Sequence, residues 1–303
     1  MIKEKGDDKY AKASKQKRSD LLAVMLVIVV MSLLGLGYYW NQNKQLRSNY
    51  LHEVPGAKEI SSVSIGELEH KVEMLDRKVR EIKANVDIFE TDPEAQAAAT
   101  TLQEATRHLL AARYGSKEPY HVKVILQFQP SIPDFQEKGA SGEFMIEMAP
   151  SSIIPHSVFT FLEVARNWKS GAFHRIAPHV LQVMVQTNNH IQHLAFQEYS
   201  PLYPHEKMTC GYAGRPSGPA FYVSIQDNSK NHGPGSQQEH KPYEADASFG
   251  KVIEGFEETV MRITKVPGKS FLNDPALHVI IKQMIIMIPN ESGEYQVWSE
   301  NDK

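Results

Sequence analysis

The sequence has very little cysteine: Cys210 is the only one among 303 residues. A single cysteine cannot form an intramolecular disulfide, and it excludes every cysteine-rich zinc module. The chain also lacks an excess of charge, because 33 basic residues oppose 36 acidic residues and the net charge is −3. No overall field therefore favours nucleic acid as a partner. The fold must be held by packing, and 41% hydrophobic residues are enough for a sizeable core.

Charge is absent from one long run, residues 21–40, which reads LLAVMLVIVVMSLLGLGYYW. About twenty helical residues, at roughly 1.5 Å each, span a hydrocarbon core of about 30 Å. The aromatic residues at its end, Tyr38, Tyr39 and Trp40, suit a membrane interface. A cleaved signal peptide is disfavoured, because its apolar region is usually shorter and a small-residue cleavage site should follow. The run predicts a retained single-pass transmembrane helix.

Positive charge is concentrated before this run. Residues 1–20 carry seven Lys or Arg, whereas residues 41–50 carry only Lys44 and Arg47. The positive-inside rule then predicts a cytosolic basic tail, with the rest of the chain lumenal or extracellular. A sequon at Asn290 is compatible with this orientation. The ER, Golgi and plasma membranes all accept the topology, and the short span favours the thinner ER and Golgi membranes.

Beyond a linker over residues 41–60, apolar residues recur at alternating steps of three and four. They are Ile65, Leu68, Val72, Leu75, Val79, Ile82, Val86 and Phe89. This heptad pattern predicts a coiled coil, with a parallel homodimer through residues 65–89. A single amphipathic helix packed on its own domain is the alternative, since the repeat is short.

A second helix is predicted over about residues 93–114. Asp92 precedes a proline in the first turn, and Gly115 follows the last periodic residue. Its alanine-rich face suits close packing. Residues 61–116 are therefore predicted to form a helical stalk.

Short alternating apolar runs follow the stalk. Two of them are HVKVILQF (121–128) and GEFMIEMA (142–149), and HVIIKQMIIMI (278–288) resembles a long buried strand. A helical stretch near 156–168 interrupts them. This order predicts a mostly β head domain, an antiparallel sheet or barrel with a few helices, over residues 117–290 and a short tail over 291–303.

Several motifs of the head resemble, in the same order, those of the cyclophilin-type peptidyl-prolyl isomerases. They are SVFTFLEVA, GAFHRIAP, HEKMTCGYAGRPSGPAFYVSI, NHGPGSQ and FGKVIEGFE. The resemblance covers about residues 120–288. It implies an eight-stranded antiparallel β-barrel capped by two helices, near 156–168 and 254–264, and an isomerase that acts on proline-containing protein segments.

Isomerisation of an X-Pro bond must overcome a barrier of roughly 18 to 20 kcal/mol. It requires no nucleophile, metal or cofactor. It requires an apolar pocket for the proline ring, groups that hold the peptide, and a fixed cation that favours the twisted nitrogen. The resemblance assigns that cation to Arg175, whose planar fork neighbours can lock. An arginine that only forms an ion pair on the barrel surface is the alternative.

The other pocket positions depart from the family's pattern. The resemblance places Phe173, Val180, Leu181, Gly211, Ala220 and Tyr222 at substrate-binding positions. Val180 and Leu181 replace an aromatic-Met pair, and Asp246 replaces the pocket histidine. Gln182 supplies the family's catalytic glutamine only if the preceding loop lacks one residue, whereas an ungapped alignment puts Val183 there.

These departures predict weak or absent isomerase activity. A non-catalytic module that binds proline-containing segments, displayed on a dimeric membrane stalk, is the alternative function. His190 and His193 lack a third ligand nearby, so no metal site is predicted. NHGPGSQ lacks the Lys-Ser/Thr ending of a phosphate loop and is predicted to be a surface turn.

Overall fold

A computed structural model describes residues 63–236, 241–268 and 270–300 of the chain. All of them belong to the second of two units, Lys58–Lys303. The basic tail, the predicted transmembrane run and the whole linker lie outside the described residues. Among the helices that the structure describes, none is long and apolar enough to cross a membrane. The anchor therefore stays a prediction from the sequence.

From residue 63 onward, two long helices precede the sheet. Helix α1, Ile65–Asn85, begins at a capping box, in which the Ser64 hydroxyl accepts from the Glu67 amide and the Glu67 carboxylate accepts from the Ser64 amide. Helix α2, Pro93–Tyr114, begins with its proline in the first turn, as predicted. A 3₁₀ turn, Phe89–Thr91, joins the helices into a hairpin.

The apolar positions of α1 are covered by α2 of the same chain. Leu68, Val72 and Val79 are buried in a cluster with Leu102 of α2. In the described residues, α1 thus packs on its own domain, as the alternative of a single amphipathic helix has it. The reason is the row of alanines on α2, which lets α1 approach closely. A heptad repeat predicts an apolar seam but does not determine which helix covers it.

Ten strands follow, and every pairing between them is antiparallel. They are β1 (His121–Gln127), β2 (Ser141–Met148), β3 (Trp168–Ile176), β4 (Val180–Thr187), β5 (Thr209–Tyr212), β6 (Phe221–Ser224), β7 (Ser248–Glu254), β8 (Ser270–Phe271), β9 (Val279–Pro289) and β10 (Tyr295–Val297). The neighbour order β9-β1-β2-β7-β5-β6-β4-β3 closes on itself through the pairing of β3 with β9. The predicted eight-stranded antiparallel barrel is confirmed, and β8 and β10 are additions at its rim.

Helices cap the barrel near the predicted positions. The first cap is α4, Pro155–Arg166, and the second is a π-helical turn, Phe256–Val260, that continues into α6, Met261–Ile263. Phe161 of α4 stacks on Phe249 at 3.9 Å between ring centroids, so this helix closes the apolar interior. Two four-residue helices, α3 (Phe135–Lys138) and α5 (Ser229–His232), and a 3₁₀ turn, Pro275–Leu277, complete the described elements.

Ion pairs fasten the helical hairpin to the barrel. Arg113 of α2 donates to Glu163 of α4 at 2.6 Å, and the Tyr114 hydroxyl donates to the same carboxylate at 2.9 Å. These groups are largely buried, so the contact resists solvent screening. The hairpin is therefore packed on the head rather than standing apart as a stalk.

Candidate functional site

Four side chains lie in one row across the strands. Phe271 of β8 is opposite Arg175 of β3, Arg175 is opposite Gln182 of β4, and Gln182 is opposite Tyr222 of β6. Residues that are directly opposite have Cβ atoms about 5 Å apart, so each side chain can contact the next. We call these four residues the cross-strand row.

A β-bulge sets the direction of Arg175. Phe173 pairs with Val183 and Arg175 pairs with Gln182, so His174 is the extra residue on β3. Phe173 and Val183 are fully buried in the barrel interior, which leaves Gln182 on the outer face beside Arg175. Gln182 is therefore directly opposite Arg175 and can contact it, whereas Val183 cannot.

The guanidinium of Arg175 is held from two sides. Its Nη1 donates to Gln182 Oε1 at 2.9 Å. Its Cζ lies 5.1 Å from the centroid of the Phe271 ring, within the range of a cation–π contact. A half-buried cation in a fixed orientation is the polar component that isomerisation requires.

The other end of the cross-strand row is closed. The Tyr222 side chain packs against Val180 and Ala177, and the residue is only 3% exposed. The ring of His232 stacks on the Tyr222 ring at 4.7 Å between centroids. An imidazole of the chain itself therefore covers the Tyr222 ring, which the sequence analysis predicts to bind substrate.

Buried charges hold His232 in this position. The Asp246 carboxylate accepts from His232 Nδ1 at 2.5 Å and from Arg215 Nε at 2.8 Å. Burial alone would raise the pKa of Asp246, but the hydrogen bonds from His232 and Arg215 outweigh it and keep that pKa below its ordinary value. Asp246, which replaces the family's pocket histidine, is thus an ionised anchor for the imidazole.

His205 holds the hydroxyl end of the Tyr222 side chain. Burial lowers the pKa of His205 to about 4, so its imidazole is neutral at neutral pH. Its Nε2 lies 2.9 Å from the backbone oxygen of Asp246 and therefore carries the proton. Its Nδ1 then accepts from the Tyr222 hydroxyl at 3.3 Å. Both ends of the Tyr222 side chain are consequently engaged within the protein.

Gly211 makes room for this arrangement. A Cβ atom at Gly211 would lie 2.6 Å from the Tyr222 hydroxyl oxygen, closer than any real contact. The side chain of Tyr222 therefore requires glycine opposite it on β5. Gly211 serves the packing of Tyr222 and does not offer a surface to a bound peptide.

Two of the predicted substrate-binding residues face the wrong side of the barrel. Phe173 and Leu181 are fully buried in the interior cluster. Because successive strand residues point to opposite faces, Leu181 cannot share the outer face with Gln182. Ala220 lies just before β6, half-buried, and its carbonyl accepts from the Ala213 amide at 2.8 Å. The predicted contacts of Phe173 and Leu181 with substrate are therefore not supported.

The imidazole that covers Tyr222 was missed by sequence reasoning. His232 belongs to NHGPGSQ, which was predicted to be a surface turn, but the residue is buried. The available signal was Asp246, because a carboxylate that replaces a pocket histidine requires a buried hydrogen-bond partner. The contact of Phe271 with Arg175 had no signal in the motifs.

A separate cleft of about 300 Å³ lies between α1, α2, α4 and residues 190–193. His156 is at its buried side, and His190 and His193 are on its exposed edge. Within the described ranges, no group of three or more His, Cys, Asp or Glu could hold a metal ion. The cleft shares no residue with the cross-strand row.

Comparisons with known proteins find similar solved structures but no matching family. No family model matches the sequence, and no curated protein matches it. Of the solved structures, 22 chains match. One is a crystal structure of a cyclophilin type peptidyl-prolyl cis-trans isomerase of Cryptosporidium parvum, with 16% identity and a TM-score of 0.37 over 55% of this chain and 97% of that one.

Proposed function

We propose that this protein is a membrane-anchored, cyclophilin-like protein whose barrel binds proline-containing segments of client proteins and isomerises them weakly or not at all. One observation carries the proposal: a single row contains both a locked Arg175–Gln182 pair and a Tyr222 ring covered by His232. The pair retains the polar half of an isomerase site. The covered ring removes the apolar half.

Weak catalysis follows from what the transition state needs. A fixed cation lowers the barrier only if the proline ring is held beside it while the nitrogen twists. With the recess filled, the segment binds without the geometry that Arg175 would act on. Loss of one partner from a preorganised site commonly costs about 10²- to 10³-fold in rate.

A non-catalytic binding module is the second candidate. The coverage of Tyr222 favours it, because a buried imidazole held by an ionised carboxylate is not readily displaced by a weakly bound peptide. The parallel homodimer is not part of either proposal, since α2 covers the apolar positions of α1. The two candidates differ in one observable, the turnover of a proline peptide.

We expect the full-length protein, purified in detergent, to isomerise an Ala-Ala-Pro-Phe peptide at no more than about twice the uncatalysed rate. The Arg175→Ala variant should give the same rate, because His232 covers Tyr222 and no proline ring is held there beside the cation. Arg77→Ala, which alters an exposed arginine of α1, is the matched control. A rate more than about tenfold above background that is lost in Arg175→Ala would show a working isomerase.

The membrane anchor is proposed from the uncharged run over residues 21–40 and the basic residues before it. We expect the full-length protein to remain in the membrane fraction at alkaline pH, and a variant without residues 21–40 to be released. In the proposed orientation Asn290 faces the lumen, where its side chain lies in an accessible turn with Ser292. A glycosidase-sensitive mass shift that disappears in Asn290→Gln would support this orientation, and an anchored protein without that shift would contradict it.

A further inference from the structure

Phe271 is the apolar residue of the cross-strand row that solvent reaches. It is 57% exposed, whereas Tyr222 at the opposite end is 3% exposed. Strand β8 has only two residues and, within the described ranges, pairs with β3 alone. The His174 ring packs on one side of the Phe271 ring, at 5.7 Å between centroids, and the rest of the ring is exposed. A single exposed aromatic residue is ordinary on a protein surface. Its contact with the locked cation is what distinguishes this one.

A second exposed apolar residue lies on the same face. Met184 is 43% exposed and follows Gln182 by two residues on β4, so both side chains point outward. The polar side chains of this face, the Arg175 guanidinium and the Gln182 amide, are thus flanked by two apolar ones. These are the Phe271 ring and the flexible Met184 thioether. We call Phe271, Arg175, Gln182 and Met184 the Phe271 surface.

The polar groups of the Phe271 surface are biased towards donors. The Arg175 guanidinium has five N–H donors, and Gln182 accepts from one of the two on Nη1. This bond occupies the Oε1 acceptor of Gln182 and leaves its amide N–H groups to point elsewhere. A ligand that provides oxygen acceptors therefore complements this surface.

A proline-containing segment matches both features. Proline has no backbone N–H, so such a segment presents carbonyl acceptors with fewer donors to satisfy. Its ring is apolar and rigid, and aromatic surfaces are the usual docking partners of proline-rich segments. An extended proline segment also loses little conformational entropy when it binds. The aromatic ring can contact the proline ring, and the fixed guanidinium can donate to the backbone carbonyls.

We infer that proline-containing client segments dock on the Phe271 surface, with Phe271 in the role of the covered Tyr222, and with Arg175 donating to a backbone carbonyl. This inference rests on the proposed function and identifies where on the barrel the segment binds. Arg175 lies between Phe271 and Tyr222 in the cross-strand row. A proline ring held by Phe271 is therefore on the opposite side of Arg175 from the pocket that the resemblance implies, so the segment can bind without being isomerised.

The test uses the full-length protein in detergent and a fluorescein-labelled decapeptide of alternating alanine and proline, followed by fluorescence anisotropy. We expect Phe271→Ala to weaken binding by at least about tenfold and Phe271→Tyr to keep it within about threefold. Val297→Ala is the control, because Val297 is a strand residue with a comparable exposure of 59% and lies on β10, away from β8.

Two outcomes would contradict the proposals, and they are distinct. If the parent binds the alanine–proline peptide no better than a decapeptide in which alanine replaces every proline, the proposed function fails. If the parent prefers the proline peptide but Phe271→Ala binds it as tightly as the parent does, the segment docks elsewhere and only the present inference fails. Equal urea midpoints for the parent and Phe271→Ala would show that the variant is folded.

Discussion

Replacing Asp246 with alanine is expected to lower the free energy of unfolding by about 3 to 5 kcal/mol, because the change removes the carboxylate that Arg215 and His232 share. The side chains of Arg215 and Asp246 are only 8% and 5% exposed, so water cannot replace the lost partner. Glu244 lies 3.6 Å from Arg215, which is too long for a good hydrogen bond and offers limited compensation.

Urea denaturation of the full-length protein in detergent, followed by tryptophan fluorescence, measures this loss. Glu257→Ala is the matched control, because Glu257 pairs with Lys207 at 3.1 Å and both side chains are well exposed. Exposed ion pairs contribute about 0 to 1 kcal/mol, so the control midpoint should barely move. A loss below about 1 kcal/mol in Asp246→Ala would show that the buried pairs do not hold the pocket closed.

The fold was largely predictable because its signals are local or ordered along the chain. Motifs such as GAFHRIAP and FGKVIEGFE carry the strand order of a barrel, and the closure of β3 on β9 agrees with that order. Helix α2 was predictable from Asp92, the following proline and Gly115, which act within one turn of the helix ends.

The stalk was mispredicted for a physical reason. The heptad residues of α1 are buried as a periodic seam should be, but the seam is satisfied by the alanine-rich face of α2. The periodicity shows which face of α1 is apolar and must be covered. Whether an intrachain helix or a partner covers it depends on the turn at Phe89–Thr91, which directs α2 back along α1.

The site was predictable only in its polar half. The motif named Arg175 and Gln182, and the structure brings these two side chains together through the bulge at His174, while their roles stay a prediction. The closed half depends on contacts between residues far apart in sequence, since His232, Asp246 and Tyr222 come from three separate segments. A single sequence shows the substitution of the pocket histidine by Asp246, but not which side chain fills the space.

Replacing His232 with alanine is expected to raise the rate of proline-peptide isomerisation by at least about tenfold over the parent protein. The change uncovers the Tyr222 ring, and Val180 and Ala177 then complete an apolar recess. Burial of a side chain the size of a proline ring contributes about 1.5 to 3 kcal/mol, and tenfold corresponds to about 1.4 kcal/mol. The recess adjoins Gln182 and so brings the ring towards the locked cation.

The assay follows an Ala-Ala-Pro-Phe peptide at low temperature, where the uncatalysed reaction is slow. His193→Ala, which alters an exposed histidine, is the matched control and should leave the rate at background. Loss of one hydrogen bond to Asp246 is expected to cost about 1.5 to 3 kcal/mol of stability, so folding is checked by near-UV circular dichroism.

A double variant, His232→Ala with Arg175→Ala, shows whether the gain depends on the cation. If the uncovered recess acts as an isomerase pocket, the rate of the double variant returns to background, because binding a proline ring without the guanidinium does not favour the twisted nitrogen. If folded His232→Ala stays at background, coverage of Tyr222 is not what suppresses catalysis. The cause would then lie in the other positions that depart from the family's pattern, such as Val180 and Leu181.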